Sequence, residues 1–141
     1  MKELTLTLPL APALNHYWKH SAHRGYLHTY ISKKGLIFRD LVLERVYEYR
    51  KSFYYENDIG FSDIVFPVER LTVELQVFGD SRRKYDIDGR IKATLDALQI
   101  AKVYTDDEQV DRLFVERKEI VKGGKMIITI KALTGSSLRP L

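Results

Sequence analysis

Leu71, Val73, Leu75 and Val77 alternate with Thr72, Glu74 and Gln76, and the alternation stops at Gly79. Period-2 hydrophobicity marks a strand with one face buried. Ile87, Ile91, Leu95 and Leu98 then recur at intervals of four, four and three, the spacing of a helix with one apolar stripe, predicted over residues 86–99. Residues 110–120 read as a strand again. A strand, a helix and a strand in succession constrain the fold more than any other feature of the chain. The helix must lie across the sheet, and the crossover that carries it should be right-handed.

The remaining segments fill in around this unit. Leu4, Leu6 and Leu8 alternate with Thr5 and Thr7 in a first strand, which Pro9 and Pro12 bring to an end. Phe38, Leu41, Val42, Val46 and Tyr49 follow helical spacing over residues 33–51, with Ser32 as the expected N-cap. Between them, "NHYWKHSAHRGYLHTYISKKG" has no clean period and reads as a loop or a short irregular hairpin. The aromatic segment "SFYYENDIGFSDIVFP" reads as a connection with no evident place in a single core. "KGG" is a turn into a last strand, "KMIITIKAL". The expected class is α+β: a small mixed sheet with two packed helices, in the order β-α-β-α-β-β. A length of 141 residues suits one domain. It is assigned to residues 1–132, with residues 133–141 as a loose tail.

Composition narrows the function classes. The absence of cysteine excludes disulfides and thiolate metal sites. No run of about 18 apolar residues is available to span a membrane, and the N-terminus lacks a signal-peptide pattern. A cytoplasmic protein is expected. A net charge of +4 leans toward an acidic partner.

The stretch "RRKYDIDGRIKATLDAL" sharpens that partner. Arg82, Arg83 and Lys84 run directly into Asp86 and Asp88. A surface made only for an acidic ligand would omit the aspartates, and a plain metal site would omit the cations. An enzyme that holds a polyanion and cuts it with a metal ion needs both. In an extended stretch, residues i and i+2 face the same way, so Asp86 and Asp88 can share a hard cation such as Mg²⁺. Alternatively they cap the helix that follows.

A second acidic run, "YTDDEQVD", contributes Asp106, Asp107, Glu108 and Asp111, either as further ligands or as a solvated turn. Lys92 follows Asp88 by one helical turn and Asp96 lies one turn further. That arrangement gives either an ordinary ion-pair stripe or a cation placed to stabilise charge on a phosphate. Arg90 adds to the basic cluster, and Lys19, Arg24, Lys33 and Lys34 interleave with Tyr17, Trp18, Tyr26 and Tyr30, a mixture suited to stacking bases and holding phosphates or, for Tyr17 and Trp18, to the core. His16, His20, His23 and His28 raise a zinc reading, which the lack of cysteines and the irregular segment argue against.

"LPLAPALNHYW", "RRKYDIDGRIKATLDAL", "VYTDDEQVDRL" and "VKGGKMIITI", in that order, resemble the RusA family of Holliday junction resolvases. The resemblance implies a homodimeric endonuclease dependent on Mg²⁺, with Mn²⁺ as a substitute, that makes paired nicks across a four-way DNA junction. It places the catalytic, metal-holding aspartates on Asp86, Asp88 and Asp107 and the catalytic lysine on Lys92. Arg82, Arg83, Lys84, Arg90, Lys19, Lys33 and Lys34 are the candidates for DNA contact. The chain departs from the family in carrying Gly89 where asparagine is usual, and Ala11, Pro12 and Ala13 where a Pro-Pro-Ser is usual. The competing reading is a nucleic-acid-binding module without catalysis.

Overall fold

The computed structural model describes residues 2–57 and 63–133, less the side chains of Asn15, His23 and residues 52–57. In chain order the elements are β1 (Glu3–Leu8), α1 (Leu14–Tyr17), β2 (Trp18–His23), β3 (Tyr26–Ile31), α2 (Lys33–Asn57), β4 (Leu71–Phe78), α3 (Ile91–Ile100), a 3-10 turn (Asp107–Gln109), β5 (Val110–Lys118) and β6 (Lys125–Ala132). Four strands form a mixed sheet in the order β1-β6-β4-β5. β4 and β5 run parallel, joined through α3, and the other pairs are antiparallel. The α+β class expected from the sequence is the one observed.

One face of the sheet carries the core. Leu4, Leu6 and Leu8 of β1, the odd-numbered residues Leu71 to Val77 of β4, and Met126, Ile128 and Ile130 of β6 are all buried. Phe38, Val42 and Val46 of α2 and Ala93, Ala97 and Leu98 of α3 close over them. Each such Leu, Ile or Val contributes roughly 1.5–3 kcal/mol by leaving water. Ser32 caps α2 as expected: its Oγ accepts from the Gly35 backbone N–H at 3.0 Å. Gly35 is required there, because a Cβ would stand 2.7 Å from Ile31 Cγ1 and 3.0 Å from the Tyr17 carbonyl oxygen.

Three expectations are corrected. The segment after α1 is a regular antiparallel hairpin, paired from Trp18↔Ile31 to His23↔Tyr26. Its two-residue turn, Arg24 and Gly25, has φ of 52° and 79°, the left-handed pair that a type I′ turn requires. No alternation announced it, because Tyr26 through Tyr30 are all exposed and neither face has a core to encode.

The helix expected from residue 86 begins at Ile91. Residues 87–90 form a turn, with the Gly89 N–H on the Asp86 carbonyl at 3.1 Å and the Leu14 N–H on the Gly89 carbonyl at 2.9 Å. Ile87 therefore falls outside the apolar stripe and is exposed.

Finally, part of the aromatic segment does belong to the core. Val65 and Phe66 are fully buried, and Phe66 bridges to Tyr104. Residues 58–62, like the tail from 134, lie outside the described residues. Among the described residues, no helix is long and apolar enough to cross a membrane.

Candidate active site

The loop after β4 carries the first acidic pair. Because residues 86–89 are a backbone-bonded turn rather than a helix start, Asp86 and Asp88 do not cap α3; its N-cap is Arg90, which makes no side-chain cap. Both aspartates are exposed, and neither carboxylate has a hydrogen-bond or ion-pair partner among the described residues. Asp86 lines an open cleft of about 630 Å³ together with Arg82, Arg83, Lys84, Tyr85, Arg117 and Ile120.

Tyr85 organises that cleft. The guanidinium of Arg117 lies 4.6 Å from its ring centroid and that of Arg90 lies 4.8 Å away. Arg117 also donates to the Tyr85 carbonyl at 2.8 Å. Cations over an aromatic face gain from its quadrupole, so the backbone just before Asp86 is held by a stack. Arg90 spends its Nε on the Ala11 carbonyl at 2.9 Å and so ties this loop to the segment before α1.

The second acidic turn is sorted by its partners. Asp106 accepts from the Glu108 N–H in a capping box whose other half is Gln109. Glu108 and Asp111 both pair with Arg70, Asp111 at 2.6 Å, and these two carboxylates hold the Arg70 guanidinium well above the usual arginine range, Asp111 first. Gln109 is buried, and its amide accepts from the Thr105 and Asp106 N–H groups while donating to the Phe66 and Glu69 carbonyls. That leaves Asp107. Its N–H donates to Gln99 Oε1 at 3.0 Å, and its Oδ2 accepts from Lys92 Nζ at 3.2 Å. Tyr104, buried behind it, donates to the Leu95 carbonyl at 2.6 Å; burial first, then the nearby Asp107, pushes its phenol far above the ordinary value.

Asp107 thus meets Lys92 across α3. Lys92 also pairs with Asp96 at 3.0 Å, one turn along the helix. The hydrogen bond that Lys92 donates to Asp96 leads, and the one it donates to Asp107 follows, in raising the Lys92 ammonium above the ordinary lysine range. Of the ion-pair stripe weighed from the sequence, the Lys92–Asp96 pair forms and an Asp88–Lys92 pair does not, since Asp88 precedes the helix. Lys92, Asp96 and Gln99 instead make a polar track along α3 that links its first turn to the Asp107 turn. Close by, the buried Tyr17 hydroxyl accepts from Arg39 Nε at 2.7 Å.

Among the other basic candidates, Lys19 is exposed on β2, and Lys33 and Lys34 open α2, where cations face the positive end of the helix dipole. Three residues of the site escape sequence reasoning. Arg117 sits in a stretch of alternating charge, and Gln99 and Gln109 are uncharged amides. Only the dense polar lettering after Tyr104 hinted at a built turn.

Comparison with known proteins bears on this arrangement. A family profile described as Endodeoxyribonuclease RusA matches residues 9–131. The chain belongs to the RusA family. Proteins named crossover junction endodeoxyribonuclease RusA from Shigella sonnei (strain Ss046) and Escherichia coli (strain K12) are 32% and 31% identical to it over 130 residues, covering 92% of this chain and 95% of theirs. The protein of the same name from Enterobacteria phage 82 is 32% identical over the same share.

A RusA-family nuclease site suggests a divalent metal, and the donors can be tested against it. Among the described residues, no three carboxylate or imidazole groups stand close enough to cage an ion. Mg²⁺ does not need a cage: it keeps several waters and takes one or two carboxylates together with phosphate oxygens of the substrate. The partnerless Asp86 and Asp88, all-oxygen donors on one exposed turn, fit that mode.

Proposed function

We propose that this RusA-family chain is a crossover junction endonuclease that resolves four-way DNA junctions by paired nicking, acting as a homodimer in the cytoplasm. One observation carries the reading. Two carboxylates without partners among the described residues stand on the turn that borders a cleft lined by Arg82, Arg83, Lys84 and Arg117. Two unneutralised negative charges beside four positive ones make sense where a polyanion and a hard cation meet.

The four cations hold the DNA backbone, a sequence-independent interaction that fixes register. The Arg90–Tyr85–Arg117 stack keeps the loop rigid while the strand is loaded. Asp86 and Asp88 would hold Mg²⁺, or Mn²⁺ in its place, which when bound would supply an activated water for in-line attack and take up charge on the phosphodiester. The family resemblance adds Asp107 to that set, although among the described residues it is paired with Lys92 and forms no cluster with the other two. Lys92, with its ammonium pKa raised, stays protonated and offers N–H donors to the developing negative charge. Lys19, Lys33 and Lys34 extend the positive surface for the arms of the junction.

The test is cleavage of a labelled four-way junction and a matched linear duplex, with Mg²⁺ and with EDTA. Asp88→Asn should cut slower by about 100-fold or more, the scale of loss at metal sites, while binding the junction as tightly as before or tighter. Cleavage by Asp88→Asn at the parent rate, or binding without Mg²⁺-dependent cutting by the parent, would overturn the proposal in favour of a binding module.

A further inference from the structure

An arginine can be anchored in two ways, and the anchor decides what its charge is left to do. Arg70 is held by two carboxylates, Glu108 and Asp111, which both fix it and neutralise it. Arg39 of α2 is anchored without a carboxylate. Its Nε donates to the Tyr17 hydroxyl at 2.7 Å, and its guanidinium lies 5.5 Å from the Tyr17 ring centroid. Tyr17 is buried, and its ring meets Trp18 edge-on at 5.2 Å. Burial, ahead of every other influence, raises its phenol above the ordinary value, so the anchor stays neutral. The two terminal nitrogens of half-buried Arg39 have no partner among the described residues. Arg39 is therefore an uncancelled charge with a fixed orientation and an open donor fork, which suits bidentate contact with phosphate. Arg90 and Arg117, beside the cleft, are anchored by the same means, a carbonyl oxygen and the Tyr85 ring.

The surroundings of Arg39 favour a polyanion. Residues 4–39 contain no aspartate or glutamate, although the chain has 19, and they carry Lys19, Arg24, Lys33, Lys34 and Arg39. The same block is tied to the turn that bears Asp86 and Asp88. Tyr17 ends α1, and Leu14, which begins it, donates its N–H to the Gly89 carbonyl at 2.9 Å. At about 1.5 Å of rise per residue, Tyr17 stands about 5 Å along α1 from that bond. Asp96 is near enough to act on the Tyr17 hydroxyl, but it is paired with Lys92 and leaves Arg39 its charge. We propose that Arg39 is a further DNA contact, which takes a backbone phosphate of the bound strand on the α2 side of the Asp86–Asp88 turn. This rests on the DNA-binding reading given under the proposed function and adds to it a fork that is set before the strand arrives. A loose arginine gives up rotamer freedom when it binds; Arg39, held on Tyr17, has given it up already.

Binding of the intact protein to a labelled four-way junction in EDTA, followed over a range of salt concentrations, tests this. Arg39→Gln keeps a polar stem over Tyr17 and removes the charge. It should bind about tenfold weaker at about 0.1 M salt, and the slope of log affinity against log salt should fall by about 1. Tyr17→Phe keeps the ring and the charge but releases Nε. Its slope should match the parent's while its affinity falls about threefold, because a loosened guanidinium must be ordered again. Added to Arg39→Gln, Tyr17→Phe should weaken binding no further, since the two act as one unit. Thermal melts and light scattering accompany each variant. Should Arg39→Gln fail to fold, Arg39→Lys keeps the charge and loses the fork; it should hold the slope and bind about threefold weaker, and parent affinity in it would sink the proposal. A folded Arg39→Gln with the parent's slope leaves Arg39 a packing residue and overturns the proposal, with the DNA reading intact because the parent still binds. Equal loss from Tyr17→Phe with and without Arg39 also overturns it, since Tyr17 then acts alone. A halved mass in Arg39→Gln would put a second copy at Arg39 in place of DNA, and the proposal fails. A parent whose junction affinity ignores salt would overturn the DNA reading and this proposal together.

Discussion

Tyr85 carries a cation on its ring from each of two elements, Arg90 just before α3 and Arg117 at the end of β5. Its hydroxyl is buried and has no hydrogen-bond partner among the described residues. A hydroxyl in that condition costs stability, whereas the ring earns it, so the two contributions separate cleanly. Tyr85→Phe keeps the stack and removes the cost; its melting temperature should stay level or rise, by up to about 1 kcal/mol of stability. Arg117→Ala loses the stack, the bond to the Tyr85 carbonyl and a cleft cation. Its junction binding should weaken, and the slope of log affinity against log salt should fall by about 1; an unchanged slope would remove Arg117 from the DNA surface. At this scale the sequence was legible where charge stood against charge. Asp86 and Asp88 beside Arg82, Arg83 and Lys84 are such a case. It was opaque where a residue acts through a contact between distant segments, as Arg117 and Gln109 do.

At the scale of elements, the turn before β5 depends on one amide. Gln109 joins Thr105 and Asp106 to Phe66 and Glu69, and so sets the turn that presents Asp107 to Lys92. Gln109→Ala leaves two N–H groups and two carbonyls to find other partners in a mostly buried place. Denaturant unfolding should show a loss of about 2–3 kcal/mol, and cleavage should fall more than the loss of folded protein explains. The strands were readable because burial on one face writes an alternation into β1, β4 and β6. The β2–β3 hairpin has no buried face and left no such record. The true start of α3 was hidden because Ile87 mimics its stripe while Gly89, bonded to Leu14, holds residues 87–90 in a turn. α2 continues to Asn57, beyond the expected residue 51, because a run of Phe and Tyr resembles a connection as much as a helix.

For the molecule as a whole, paired nicking demands two sites, and the described residues of one chain supply one candidate. Light scattering should report about twice the 16.5 kDa chain mass. Mixing parent with Asp88→Asn subunits should give junctions cut on one strand as the main product of the heterodimer. A monomeric mass with full paired cutting would sink the dimer. Exposed apolar residues mark where a second copy could sit: Phe114 at 59% on edge strand β5, and Tyr26 and Leu27 at 72% on the hairpin.

The position of β6 has a consequence for how the protein is made. Among the described residues it is the last strand in sequence, yet it lies inside the sheet, pairing β1 on one side and β4 on the other. While the ribosome is still extending the chain toward residue 125, β1 has no partner and β4 and β5 form a two-stranded fragment with both edges open. The four-stranded sheet cannot close until β6 has cleared the exit tunnel, so its completion waits for Ala132 to emerge. Joining residues so far apart, such as Glu3 with Lys131, also makes the search slow, since long loops must close before their contacts stabilise anything. Nascent chains stalled before β6 emerges should be digested readily by a protease, and chains extended past Ala132 by a tunnel-length linker should resist it. Resistance appearing before β6 is exposed would show that the sheet can close without its central strand.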